Sequence, residues 1–327
     1  MSLSSEANAQ RRMIAAGILL VLLTAVISGV STFVNFWAVQ GFNSDAFITV
    51  RNLAVTALLL PLALLARRDV RTRLRKRDWA RLVTIGLLGG AIPFVLFFRG
   101  LQMAGTAGAA TATFGYRTLF IMASVFAFVF LRERIPMRIL LAAGLLLAGN
   151  ALLLSLTAPV WSDGTLLVLA ATALWAGEFT LSKRTLRDLP SSTVALGRMG
   201  FGGVFLATYI GLTGQWAAAA LSPAQWGWVG LSALLLVGFV TTWYAGLRTV
   251  PLSTAASILV LSFPITWALG VLAGASPVTF VQAAGATAVA AGAVVAIGTA
   301  ALRETWRFIL YTSRAKLVAA RAKIAGR

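Results

Sequence analysis

The chain has 327 residues, 59% of them hydrophobic and only 11% charged, with a mean hydropathy of +0.88. A soluble domain carries about a quarter charged residues, so this composition excludes a soluble globular protein. The absence of Cys and His excludes disulfides, thiolate metal sites and imidazole proton shuttles. The formal charge of +19 would suggest nucleic acid. However, every Lys and Arg except Arg51, Arg99, Arg117 and Arg198 falls between, beyond or at the ends of apolar stretches. The positive-inside bias of membrane proteins accounts for that placement, and no nucleic-acid partner is expected.

In chain order, apolar runs of about 20 residues, long enough to cross a bilayer as helices, predict spans at 13–39, 46–66, 80–103, 106–131, 135–157, 162–182, 190–213, 224–247, 252–274 and 277–300. The first run follows Arg11 and Arg12 as a signal peptide would. It is too long for a signal core and is followed by no small-x-small cleavage site, so it is predicted to be retained as a span. Basic residues occupy every second gap: Arg67 to Arg81, then Arg132, Arg134 and Arg138, then Lys183, Arg184 and Arg187, then Arg248. The intervening gaps at 40–45, 104–105, 158–161, 214–223 and 275–276 contain neither Lys nor Arg. This alternation predicts an all-α integral membrane protein of the bacterial inner membrane with ten spans and both termini in the cytoplasm. Beyond 302, Leu302, Trp306, Ile309, Leu310, Leu317 and Ile324 recur near helical spacing among basic residues. A basic amphipathic helix over 302–327, lying on anionic lipid, is expected.

The chain repeats itself at about half its length. Thr24 to Gly29 recurs as Thr172 to Gly177, Val50-Arg51 as Gly197-Arg198, Asp78-Trp79 as Gln225-Trp226, Gly100-Leu101 as Gly246-Leu247, and Ala109-Ala110 as Ala255-Ala256. Pro136 and Gly144 recur as Pro277 and Gly285. Two units, 13–157 and 162–300, each with five spans, must be inverted relative to one another. Inverted repeats are the architecture of many secondary transporters, with the substrate near the midplane between the halves. Small residues four apart, Ala104, Gly108 and Ala112, and Ala284, Ala288 and Gly292, predict close helix contacts.

These features resemble the EamA family of the drug/metabolite transporter superfamily. The resemblance rests on the two five-span units, the early-span pattern Gly29…Asn35 and Gly177…Lys183, the second-span Arg51 and Arg198, Leu131-Arg-Glu-Arg-Ile135 closing the fourth span, and Ser262-Phe-Pro264. The chain departs from the family pattern at Ala275-Ser276 and at Tyr116-Arg117-Thr118. The resemblance implies a transporter of small metabolites, often an amino-acid exporter. It also implies a central cavity lined by spans 1, 3, 4, 6, 8 and 9.

Among nine acidic residues, only Glu178 lies inside a predicted span. A buried charge costs about 2.5–3.5 kcal/mol or more at the bilayer centre and marks a functional candidate. Trp175, Glu178 and Ser182 share one helix face. Arg117 lies mid-span beside Tyr116, where its fork could clamp a carboxylate; pairing of Arg117 with Glu178 fits the same facts. Glu178 aligns with Val30 and Arg117 with Phe263 across the repeat, so each charge occurs in one half only. A lone acid facing a lone base suits a zwitterion such as an amino acid, and Glu178 could instead carry a coupled proton. Arg51 and Arg198 occur in both halves, which favours a scaffold role, and Arg99 is expected to snorkel. Trp243, Tyr244 and Trp267 are expected to shape the pocket with Phe94, Phe97 and Phe98. Asn35, Ser257 and Ser262 could bond a ligand, and Pro93 and Pro264 interrupt their spans. No nucleotide-binding glycine loop or paired carboxylates occur, so neither an enzyme, an ATP-driven pump nor a cofactor is expected. The expected function is alternating-access transport of an amino acid, outward. Import or exchange of a vitamin or nucleoside, or a lipid-handling or scaffold role, are the other readings.

The alternation of basic gaps is directly testable because the chain lacks cysteine. A single cysteine at Thr72→Cys should resist a membrane-impermeant maleimide applied to whole cells, whereas Ala158→Cys should label. The reverse pattern would overturn the topology.

Overall fold

The computed structural model describes residues 3–38, 43–68, 74–156, 158–274 and 278–310. The described residues form α1 (Leu3–Ala38), α2 (Ser44–Arg68), α3 (Lys76–Ile85), a π-helical turn (Gly86–Ala91), α4 (Ile92–Arg117), α5 (Leu119–Leu131), α6 (Met137–Leu153), α7 (Asp163–Thr185), α8 (Ser191–Leu212), α9 (Pro223–Thr249), α10 (Leu252–Leu259), α11 (Ser262–Leu272) and α12 (Phe280–Ile297). Their starts follow local chemistry. The Ser162 and Thr279 hydroxyls accept the Thr165 and Gln282 backbone N–H groups, each at 3.2 Å. Ser222 and Gln225 form a reciprocal capping box ahead of Pro223.

Nine helical stretches among the described residues are long and apolar enough to cross a membrane. The expected fifth span, 135–157, is instead a 17-residue helix, Met137–Leu153, about 25 Å long at 1.5 Å per residue. Pro136 caps its start, and Ser155 turns the chain with a φ of 49° at its end. The third and fourth expected spans are separate stretches, Lys76–Gly105 and Gly108–Leu131, parted by a sharp break at Gly105, whose φ of 59° only glycine adopts without strain. The fourth and ninth expected spans are themselves interrupted, at Thr118 and at Val260–Leu261. Pro264 follows the second break, since a ring there cannot continue the hydrogen-bond ladder.

The helices pair in a way that is preserved when the two halves are exchanged. α4 packs along α7 as α1 packs along α9, while α2 with α8 and α6 with α12 are self-equivalent. The match extends to single atoms. A β-carbon at Gly100 would lie 2.7 Å from the Gly164 carbonyl oxygen, and one at Gly246 would lie 2.9 Å from that of Gly17. Gly100 and Gly246 are the repeat partners already paired in the sequence. In α12 the close face keeps Gly292 of the expected stripe but takes Gly285 and Val289 in place of Ala284 and Ala288. Gly285, Val289, Gly292 and Ala296 are buried, and Gly149 of α6 and Gly285 meet backbone to backbone.

One end of the bundle gathers the basic gaps. There Arg81 bonds Asp188 at 2.7 Å, and this bond holds the Asp188 carboxyl below its ordinary range. Lys183 donates to the carbonyls of Leu247 (2.6 Å) and Val250 (2.7 Å), covering the orphan acceptors that end α9. Glu133 accepts from the backbone N–H groups of Leu252 (2.8 Å) and Ser253 (3.2 Å), which start α10. At the other end Asn43 bonds Gln215 at 3.1 Å, and Thr111 accepts the Val160 N–H at 2.8 Å. Residues 299–310 continue as helix past Gly298, with Thr305 buried and Trp306 exposed. The remainder of the expected tail, including Leu317 and Ile324, lies outside the described residues, as do Ala275-Ser276.

The close glycine contacts predict a size limit. Gly164→Leu should cost about 1–3 kcal/mol by overpacking, read as a lower Tm of the detergent-purified protein. Gly144→Leu, where nothing lies within 4 Å of the added carbon, should leave Tm unchanged.

Candidate functional site

Pro93 has no N–H, so the carbonyl four residues earlier, that of Gly89, has no helical partner. The π-turn Gly86–Ala91 turns this freed oxygen toward its neighbours, and two side chains take it. Trp175 Nε1 donates at 3.2 Å and Arg198 Nη2 donates at 3.2 Å. Asn52 donates to the next carbonyl, Gly90, at 3.2 Å. Gly89 also lets the acid approach, since a β-carbon there would sit 2.5 Å from Glu178 Cγ.

Glu178 is fully buried and engaged on several sides. Its Oε1 accepts the Ser182 hydroxyl at 2.5 Å and the Tyr244 hydroxyl at 2.8 Å, and Arg198 Nη1 lies 3.6 Å from Oε2. Arg198 Nη1 also donates to the Tyr244 hydroxyl at 3.4 Å. The expected Arg117–Glu178 pair does not form; Arg198 neutralises the acid. Arg198 reaches Glu178 because α8 crosses the π-turn, a juxtaposition no sequence spacing encodes.

Beside this network lies a cavity of about 300 Å³, at the lower end of the range for small-ligand sites. Its wall includes Asn35, Phe94, Phe97, Phe98, Tyr116, Arg117, Trp175 and Ser262 from the expected set, together with Ser28, Ser31, Arg51, Arg198, Phe239 and Phe263. Phe94, Trp175, Tyr116 and Phe263 form a run of ring contacts with centroids 5.3, 5.4 and 6.0 Å apart. Arg117 stacks over Phe263 at 4.3 Å and donates to Asn150 at 3.2 Å. Phe263 is the repeat equivalent of Arg117, so corresponding positions of the two halves meet here. Arg51 lies over Phe47 and Phe94 at 5.6 and 5.7 Å and makes no hydrogen bond or ion pair among the described residues.

The other expected residues lie outside the lining. Glu178 and Tyr244 sit behind it in the buried network. Trp243 is fully buried against Phe179 at 4.6 Å. Ser257 donates to the Ser253 carbonyl at 2.9 Å within its own helix. Trp267 packs at the edge of the main core without lining the cavity. Arg99 bonds the Tyr209 hydroxyl near the bundle surface. Asn35 lines the cavity but accepts from Ser232 at 2.7 Å. Arg51 and Arg198, read from their repetition as scaffold, both face the cavity. Ser28, Ser31 and Asn35, spaced three and four apart on α1, carried a signal that could have been found.

A sequence model of the EamA-like transporter family matches residues 15–155 and, separately, 163–298. No curated protein matches the chain. Among solved structures, one described only as a crystal structure of a protein aligns with a TM-score of 0.68 at 20% identity, over 86% of this chain and 96% of its own. At that identity the likeness concerns the fold.

Removing one member of the buried pair should be worse than removing both. Arg198→Leu alone should destabilise by about 3–5 kcal/mol, because it strands Glu178. Arg198→Leu with Glu178→Leu should recover much of that loss in thermal unfolding. Additive losses would refute the coupling.

Proposed function

The chain belongs to the EamA-like transporter family, and we propose that it moves a small carboxylate-bearing metabolite across the membrane by alternating access. The observation that carries this reading is the pair Arg51 and Arg117, which line the cavity with no acidic partner. A guanidinium fork matches a carboxylate in shape and charge. The adjoining run of aromatic rings suits an apolar or flat substrate body.

Alternating access is supported by the exchangeable helix pairing of the halves and by the breaks at Thr118 and Val260–Leu261, on equivalent helices flanking the cavity. The basic end is closed by Glu133 and by Arg81 with Asp188, contacts that join one half to the other and would have to part for the cavity to open there. Amino acids fall within the proposed class through their carboxylate. Export from a bacterial cytoplasm is the direction that the family resemblance suggests. Glu178 is occupied by Ser182, Tyr244 and Arg198, so an ammonium group would have only hydroxyls, the Asn35 oxygen and ring faces to meet. A coupled proton on Glu178 would weaken its hold on Arg198, which lines the cavity.

The test is counterflow in proteoliposomes preloaded with unlabelled amino acids, 2-oxo acids or dicarboxylates and offered the labelled counterpart. At least one carboxylate should exchange saturably, and Arg117→Ala should lower that exchange tenfold or more at unchanged Tm. No exchange of any carboxylate by folded protein would overturn the reading.

A further inference from the structure

Charge accounting around the cavity goes further than carboxylate recognition. Three guanidinium groups line it, and no Asp or Glu does so among the described residues. The single acid nearby, Glu178, stands behind the wall and offsets only Arg198. The next acid on α2, Asp45, precedes Arg51 by six residues, about 9 Å along the helix. Two positive charges are therefore left without a counter-charge among the described residues inside helices long enough to span a membrane. Such a charge costs several kcal/mol unless something compensates it. The ring stacking around Arg51 and Arg117 stabilises a cation without neutralising it.

The placement of the two cations is informative. Arg51 lies over Phe94, and Arg117 lies over Phe263. Between those rings stand Trp175 and Tyr116, each in contact with the next. The cavity thus has a cationic pole at each end of a strip of rings. Nε of Arg51 and Nε of Arg117 are both buried and without a hydrogen-bond partner among the described residues.

Building on the carboxylate reading, we propose that the substrate is a net-negative organic anion with two acidic groups separated by an apolar body, rather than a zwitterion. One acidic group meets Arg117, the other meets Arg51, and the body lies on the rings. An ammonium group on the same molecule would bring a third positive charge into a wall that already carries an excess.

Isothermal titration calorimetry on the full detergent-purified chain, with three probes that share a phenyl body, separates the cases. 1,4-Phenylenediacetate carries two negative charges, one at each end of the ring, phenylacetate one, and phenylalanine none net. The expected order of affinity is 1,4-phenylenediacetate, then phenylacetate, then phenylalanine, with at least tenfold between first and last. Arg51→Gln should bring 1,4-phenylenediacetate down to the level of phenylacetate, and Arg51→Lys, which keeps the charge, should recover part of the difference. Unchanged Tm in both variants excludes misfolding as the cause. Phenylalanine binding as tightly as 1,4-phenylenediacetate, with Arg117→Ala weakening both, would overturn this inference and leave the carboxylate reading standing. No binding of any probe, together with no carboxylate exchange in liposomes, would overturn both.

Discussion

The carbonyl of Gly89 is the point on which the centre of this protein is assembled. Pro93 removes its helical donor, and an unsatisfied carbonyl in an apolar interior is costly. Trp175 and Arg198 supply the missing hydrogen bonds, which ties α7 and α8 to the π-turn. Arg198, once drawn in, needs a counter-charge, and Glu178 provides it. Tyr244 of α9 completes the set by bonding Glu178. The Gly89 carbonyl and the residues bonded to it thus link four helical segments around a buried polar cluster. The wall of the cavity is the outward face of that cluster.

This arrangement separates two kinds of arginine that look alike in a sequence. Arg51 and Arg198 are repeat equivalents on equivalent helices, yet only Arg198 has an acid. The asymmetry arises because Glu178 has Val30 as its counterpart, so the first half has nothing to offer Arg51. The repeat lays down a symmetric scaffold, and one unmatched acid makes its centre electrically lopsided. A cavity with a surplus of cations is the result, and it bears directly on what the site can hold.

Much of the fold was legible before any tertiary contact. The apolar run lengths and the half-length repeat pointed to spans and two related units, because span length follows from the bilayer's thickness and the repeat is written in the chain itself. The repeat paired Gly100 with Gly246 but gave no sign that they approach Gly164 and Gly17. Boundaries were less secure. α6 is shorter than its apolar run, because Pro136 and the turn at Ser155 end the helix before hydropathy falls. The fourth span breaks at Thr118, for which no proline gives warning.

The site was only partly legible. Asn35, Tyr116, Arg117 and Trp175 reach the cavity wall, whereas Trp243, Tyr244, Ser257 and Trp267 do not, since in a chain this apolar an aromatic or hydroxyl side chain packs between helices as readily as it faces a cavity. By itself the sequence determined that the chain crosses the membrane repeatedly, that it is built twice over, and that few charges are buried: hydropathy, charge position and repetition are properties of the chain alone. Which of those charges meet was decided only by the tertiary structure. Glu178 lies 20 residues before Arg198 on a different helix, and the two meet through the crossing of α8 over the π-turn at Gly86–Ala91, against which α7 also packs. That crossing gave Glu178 to Arg198, left Arg117 on Phe263, and left Arg51 facing the cavity without a counter-charge.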